Sequence, residues 1–183
     1  AGSFGGASIL WDRRFGFLNK LYTAPIPRAA IPLGKLAAML VQSWLQLAAI
    51  LVIASLLGVR VVTGLPGILF IILLASLFEV VMGGISLTLA AHVDAVETFF
   101  AVINFLTLPL IFTSNAIFPT TAMPGWLQAV ALVNPLTYAV TPMRIAVTRG
   151  WLWGEMWSGL LILLAMAIGS VLLAVSQFVK PMR

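Results

Sequence analysis

The chain of 183 residues has 62% hydrophobic and 8% charged side chains, a net charge of +5 and no cysteine. Soluble domains carry about 25% charged residues, so this composition, with a mean hydropathy of +1.13, excludes a water-soluble globular domain and defines an integral membrane protein. The missing cysteines exclude disulfides, thiolate catalysis and cysteine metal sites, and the lone His92 builds no zinc site by itself. The basic residues cluster beside apolar runs, where they read as topology signals and lipid headgroup contacts rather than a nucleic-acid surface.

In chain order, the small residues of 1–7 read as the tail of an upstream membrane helix rather than a linker, which makes the chain a fragment. Residues 9–23 place Trp11, Phe15, Leu18 and Tyr22 along one helical line, opposite Asp12, Arg13, Gly16, Asn19 and Lys20. That pattern predicts an amphipathic helix ended before Pro25. Periodicity alone favours a helix lying on the cytoplasmic leaflet, with a docking surface as the alternative.

Four apolar stretches are long enough to cross a hydrocarbon core of about 30 Å at about 1.5 Å rise per residue. They are 36–57, stopped by Gly58; 66–91, opened by Pro66; 96–118, with Pro109 inside, where a kink or local unwinding is expected; and 156–179, which has no ionisable side chain. Four spans put both ends on one side. Arg13, Arg14, Lys20, Arg28, Lys35, Lys180 and Arg183 fall there, against Arg60, Arg144 and Arg149 opposite, so the positive-inside rule places both termini in the cytoplasm.

Residues 119–153 are too apolar for a free loop and too interrupted for a span. No Asp, Glu, Lys, Arg or His stands between Glu97 and Arg144. Pro119, Pro124 and Pro135 divide the stretch into short helices. Asn134-Pro135 reads as an N-cap followed by Pro at the first helical position, in a helix running towards Arg149 with Gly150 as its stop. Irregular backbone at membrane depth needs protein or water around it, so a re-entrant or surface-lying helical hairpin on the external side is expected.

Little in the chain carries bond chemistry. Leu33-Gly34-Lys35 lacks the Gly and the Ser or Thr of a phosphate-binding loop, so this chain binds no ATP by that motif. His92 and Asp94 have no nucleophile placed beside them, so no catalytic residue is assigned, and no metal site. Glu79, near the middle of the second span, is costly there by about 2.5–3.5 kcal/mol and belongs on an interior or wet face. It reads either as an ion-coupling or substrate contact or, as preferred here, as a protonated carboxyl hydrogen-bonded to a neighbouring helix. Gly83, Gly84, Ser86 and Thr88, with Ala165 and Gly169 in the fourth span, permit close helix approach. The aromatic residues Phe99, Phe100, Phe105, Phe112 and Phe118 are packing residues by default. Their company, Asn104, Thr107, Thr113, Ser114 and Asn115, makes the third span more polar than its neighbours.

The residues of 11–18, then Thr23-Ala24-Pro25-Ile26-Pro27-Arg28 and Leu33-Gly34-Lys35, resemble the cytoplasmic loop of type-2 ATP-binding-cassette (ABC) exporter permeases. Ser114-Asn115-Ala116-Ile117-Phe118-Pro119, Met123-Pro124-Gly125-Trp126-Leu127, Asn134-Pro135-Leu136-Thr137-Tyr138-Ala139-Val140 and Arg144 resemble the same family in order and spacing, most of all its daunorubicin-resistance and polysaccharide-export branch. Acidic residues common in the family are replaced here by Phe17, Asn19 and Thr141, and Pro142 is unusual. The resemblance implies an all-α polytopic bundle whose four spans are the third to sixth of six. It implies an ATP-driven exporter subunit for a drug, lipid or lipid-linked glycan, acting as a homodimer or heterodimer with an ABC ATPase that holds ATP and Mg. By the same resemblance, an ATPase-coupling helix would use Arg13, Arg14, Phe15, Gly16, Asn19, Lys20 and Pro25. The third span would line the substrate path through Asn104, Phe105, Leu108, Phe112 and Asn115. The external hairpin would cap that path through Asn134, Pro135, Tyr138 and Arg144. An ion-coupled secondary transporter, with Glu79 as coupling site and Pro109 as helix break, is the alternative.

Overall fold

The computed structural model describes residues 2–17, 23, 25, 27–116 and 123–179. Among them the chain forms seven α-helices and no strand: α1 (Gly2–Arg14), α2 (Ala30–Leu56), α3 (Gly64–His92), α4 (Val96–Thr113), α5 (Gly125–Ala131), α6 (Pro135–Thr148) and α7 (Trp153–Val179). Four of them, α2, α3, α4 and α7, are long and apolar enough to cross a membrane. Backbone groups in lipid must be satisfied within their own segment, which is why these runs are helical from end to end.

The helix α3 is the hub and packs against α1, α2, α6 and α7. Small residues bring its neighbours in. A Cβ on Gly84 would lie 2.7 Å from Ser170 Cβ and 2.8 Å from the Ser170 carbonyl carbon, so α3 and α7 touch backbone to backbone there. Ser170 Oγ closes the contact by donating to the Val80 carbonyl at 3.3 Å as well as to Ala167 within α7. At the other side of α3, the Gly6 amide donates to Ser86 Oγ at 3.1 Å, and a Cβ at Gly6 would meet Phe99 at 2.6 Å. The small residues near the start of the chain are therefore a packing surface of α1. Gly169, expected to serve close approach, has nothing within 4 Å, and Ala165 is exposed.

Two apolar cores follow. One gathers Ile9, Leu10, Leu36, Met39, Leu87, Phe99 and Phe178 at the end where α1 terminates. The other gathers Phe70, Leu74, Ala139, Ala146, Met156 and Leu163 at the opposite end.

Four expectations need correction. The helix expected over 9–23 is interrupted: α1 ends at Arg14, and Gly16 takes φ +71, the left-handed conformation that a residue without Cβ adopts freely. Residues 18–22 lie outside the described residues, and with them Leu18, Asn19, Lys20 and Tyr22. The helix expected over 96–118 ends at Thr113, because Ser114 turns extended and its hydroxyl donates to the Ile111 carbonyl at 2.8 Å; residues 117–122, with Phe118 and Pro119, lie outside the described residues. Pro109 does not unwind α4, which runs through it. The remaining helices, 30–56, 64–92 and 153–179, begin two to six residues before the expected spans, because flanking residues such as Ala30–Lys35 and Trp153–Glu155 continue the helix. The helices α5 and α6 meet at 86°, a bent pair at the end of the bundle opposite Arg14.

Candidate functional site

At the end where α1 stops, Arg13 Nη1 reaches Asp94 Oδ1 at 2.9 Å across the short α3–α4 connection, and Lys35 Nζ meets Asp12 Oδ2 at 2.5 Å. Ile9 and Leu10 bury the inner side of α1. Its outer side shows an aromatic patch: Trp11 and Phe15 stack at 5.9 Å, the Arg14 guanidinium lies 5.9 Å over the Trp11 ring, and Phe15 and Phe17 are exposed. Expected coupling residues Arg13, Arg14, Phe15 and Gly16 are thus one contiguous surface, and Pro25 is exposed. Asn19 and Lys20 lie outside the described residues. Asp94 was not foreseen as a partner of Arg13; no local pattern links two residues in different turns of a bundle.

Along α4, Phe99 and Ile103 face inward while Asn104, Phe105, Leu108 and Phe112 are exposed, Phe105 by 75%. Spacing of three and four residues puts these side chains on one face of the helix. Among the described residues that face is uncovered, since α4 packs chiefly on α1, α5 and a little of α3. Asn104 is an amide at span depth with no hydrogen bond to a described residue.

At the far end of α4 a polar joint ties three elements. Asn134 is 3% exposed, and its Oδ1 accepts from Leu136 N at 2.9 Å, capping α6 with Pro135 in the first turn. Its Nδ2 donates to the Leu110 carbonyl at 2.7 Å and to Thr113 Oγ1 at 3.0 Å. The Leu110 carbonyl is one of the last four of α4, which have no partner within their own helix, so one buried amide satisfies both helix ends. The cap alone is worth about 1 kcal/mol. Next to it, Arg144 Nη2 donates to the carbonyls of Asn115 at 2.8 Å and Ala116 at 3.2 Å, and Asn115 Nδ2 donates to Thr141 Oγ1 at 3.2 Å. Tyr138 OH donates to the Leu132 carbonyl across the bend between α5 and α6. The sequence marks Asn134, Pro135, Tyr138, Arg144 and Asn115 separately; the structure joins them. Thr113 and Thr141 complete the joint, and only the polarity of the third span pointed towards the first. The joint positions backbone and presents no nucleophile or base.

Glu79 is 7% exposed within α3, and its Oε1 has no hydrogen-bond partner among the described residues. The hydrogen bond expected from a neighbouring helix is therefore absent at that oxygen.

These observations define a polytopic α-helical membrane protein with a basic, aromatic surface at one end and a bent helical pair tied to one span at the other. Comparison with known proteins places it further. Residues 1–148 match the family described as "ABC-2 type transporter". The chain is 33% identical over 155 residues to a putative transport permease, ycf38, of Cyanophora paradoxa, covering 80% of this chain and 51% of that protein. It is 32% identical over 177 residues to the ycf38 permease of Pyropia yezoensis, covering 89% and 60%. It is 27% identical over 139 residues to the daunorubicin resistance ABC transporter permease protein DrrB1 of Streptomyces coeruleorubidus, covering 76% and 49%. No solved structure matches. The chain belongs to the ABC-2 type transporter membrane family, and it spans about half the length of the curated relatives it matches.

Proposed function

We propose that this chain is the core of a membrane subunit of an ATP-driven ABC exporter that moves a hydrophobic or amphipathic compound out of the cytoplasm. ATP and Mg would bind a separate ABC ATPase, and the subunit would pair with a second permease in the inner or plasma membrane, both ends of this chain facing the cytoplasm. Drug, lipid and lipid-linked glycan all suit such a path; the drug-resistance name of the Streptomyces relative supports the first of these. The observation that carries the reading is the uncovered face of α4. A span that leaves Asn104 beside Phe105, Leu108 and Phe112 open needs protein or a wet path against it, because a polar side chain in lipid is expensive. A second copy facing it would form that path, with the α5–α6 pair, tied to α4 through Asn134, closing its outer end. Pro109 leaves α4 unbroken, which removes the main support for an ion-coupled reading.

These 183 residues contain no cysteine, so single cysteines report cleanly once any cysteine elsewhere in the protein is replaced. In the full-length protein, Asn104→Cys should cross-link two copies with a short bis-maleimide and block export. Leu172→Cys, on an exposed face of α7, should do neither. The reverse pattern excludes α4 as the lining of the path.

Coupling is assigned to the surface at the end of α1. Domain movements of this kind require a bistable bundle biased by a remote ligand. Charge reversal at both Arg13 and Arg14 should leave membrane insertion intact and abolish ATP-dependent export while the ATPase keeps hydrolysing. Because Arg13 also holds Asp94, Asp94→Asn is the control: it loses the same internal ion pair, and exposed pairs contribute only about 0–1 kcal/mol. If Asp94→Asn is as damaging as the double reversal, the ion pair and not a partner surface explains the loss.

A further inference from the structure

Two arginines far apart in sequence stand on chain segments that dock on each other at one end of the bundle. The connection between α2 and α3 docks on the end of α6: Val62 N donates to the Val147 carbonyl at 3.2 Å, and Thr63 Oγ1 donates to the Ala146 carbonyl at 2.9 Å. A Cβ on Gly150 would lie 3.8 Å from Val62 Cγ1. These contacts dock the segment that carries Arg60 on the segment that carries Arg149; both arginines are exposed, and neither is in an ion pair with a described residue.

Immediately beside Arg149 a ladder of indoles begins. Trp151 and Trp153 stack at 4.7 Å and 13°, Trp153 lies 5.7 Å from Trp157, and Phe70 meets Trp151 and Trp153 edge-on at 5.8 Å and 6.2 Å. The three indoles are 36%, 46% and 50% exposed. Exposed tryptophans at the end of a span settle at the boundary between acyl chains and headgroups. The ladder therefore sets the depth of the neighbouring arginines, whose long stems carry their guanidinium groups up to the level of lipid phosphates. Of the five acidic residues in the chain, only Glu155 lies at this end, so the surface keeps an excess of positive charge.

We infer that Arg60, Arg149 and the Trp151–Trp153 ladder form a binding site for the headgroup of an anionic phospholipid. The guanidinium groups would take the phosphate oxygens and the indoles the glycerol and first acyl carbons. A soluble phosphate would find the arginines but gain nothing from the indoles, which distinguishes the two sources of the same anion. The site lies on α6, α7 and the α2–α3 connection, away from the exposed face of α4.

The test uses the full-length protein in vesicles, with Trp11, Trp44, Trp126 and any tryptophan outside these residues replaced by Phe so that emission comes from Trp151, Trp153 and Trp157. Quenching is titrated with brominated phosphatidylglycerol and with brominated phosphatidylcholine. At roughly fivefold per arginine near a membrane surface, the two arginines together give an expected preference for phosphatidylglycerol of about 25-fold, falling below about twofold in Arg60→Gln/Arg149→Gln. Arg60→Lys/Arg149→Lys should retain most of the preference; if the double Gln variant fails to fold, Arg149→Gln alone replaces it and should lose about fivefold, an unchanged preference there overturning the site. Equal quenching by the two lipids in the parent, or an unchanged preference in the Gln variant, overturns the site. Displacement of phosphatidylglycerol by millimolar glycerol phosphate assigns the arginines to a soluble anion and overturns the lipid assignment. Neither ATP nor a transported compound enters this measurement, so its outcome is independent of the exporter reading.

Discussion

Gly84→Leu is expected to prevent α3 from docking on α7 and to leave no monodisperse folded protein after detergent extraction. The cause is steric. Even the first carbon of a side chain at this position would stand 2.7–2.8 Å from Ser170, one of those contacts being to backbone that cannot swing aside. Helices in lipid associate through close van der Waals contact and interhelical hydrogen bonds, without the apolar driving force available in water. Pushing α3 away from α7 removes both, since the Ser170 hydroxyl reaches the Val80 carbonyl only across this close approach. Gly84→Ala should cost about 1–3 kcal/mol, the usual penalty for overpacking a tight contact, seen as a lowered thermal midpoint of the detergent-solubilised full-length protein. Gly169→Ala supplies the comparison, because its Cβ would enter open space on the same helix as Ser170. Equal loss at the two positions would show that the α3–α7 contact is looser than the geometry requires.

The same pair of glycines shows what a sequence of this kind discloses. Apolar runs locate spans because the bilayer sets one length scale and one composition rule, and the four spans were legible on that ground. Which glycine serves packing was not, since Gly84 and Gly169 differ only in which face of the helix meets a neighbour. Helix ends were legible where a side chain makes the cap itself, as at Asn134 and Pro135, whose pattern names its own geometry. They were illegible where a backbone conformation makes the end. Gly16 breaks a run that reads as continuous on hydrophobic periodicity, and Ser114 stops α4 before the apolar run is exhausted. Long-range polar pairs such as Arg13 with Asp94 and Asn134 with Thr113 depend on how the bundle assembles, and one chain's spacing carries no record of that.

Glu79→Leu is expected to raise the stability of the folded protein and to lower export. The carboxyl lies one helical turn beyond Ser76 and one before Gly83, on the side of α3 that looks at α2. Neither neighbour helps it: the Ser76 hydroxyl accepts from Trp44 Nε1 at 2.8 Å and donates to the Ile72 carbonyl at 2.7 Å, while Gly83 offers no side chain and sits against Leu36 and Met39. With Oε1 buried and no donor for it among the described residues, the group carries a desolvation cost without a compensating contact there. An apolar replacement of similar length should therefore gain about 1–3 kcal/mol, towards the insertion cost of an ionisable group at mid-span. We propose that a carboxyl whose Oε1 meets no donor among the described residues acts during transport, on a cationic or hydrogen-bond-donating group of the cargo or of a partner helix. Glu79→Gln separates charge from shape, since the amide keeps the size and one acceptor oxygen but no negative charge. Export lost in both variants with normal insertion assigns the role to the charge; export lost only in Glu79→Leu assigns it to the acceptor oxygen. A Leu variant that is more stable and exports normally would show that the carboxyl has no part in the transport cycle.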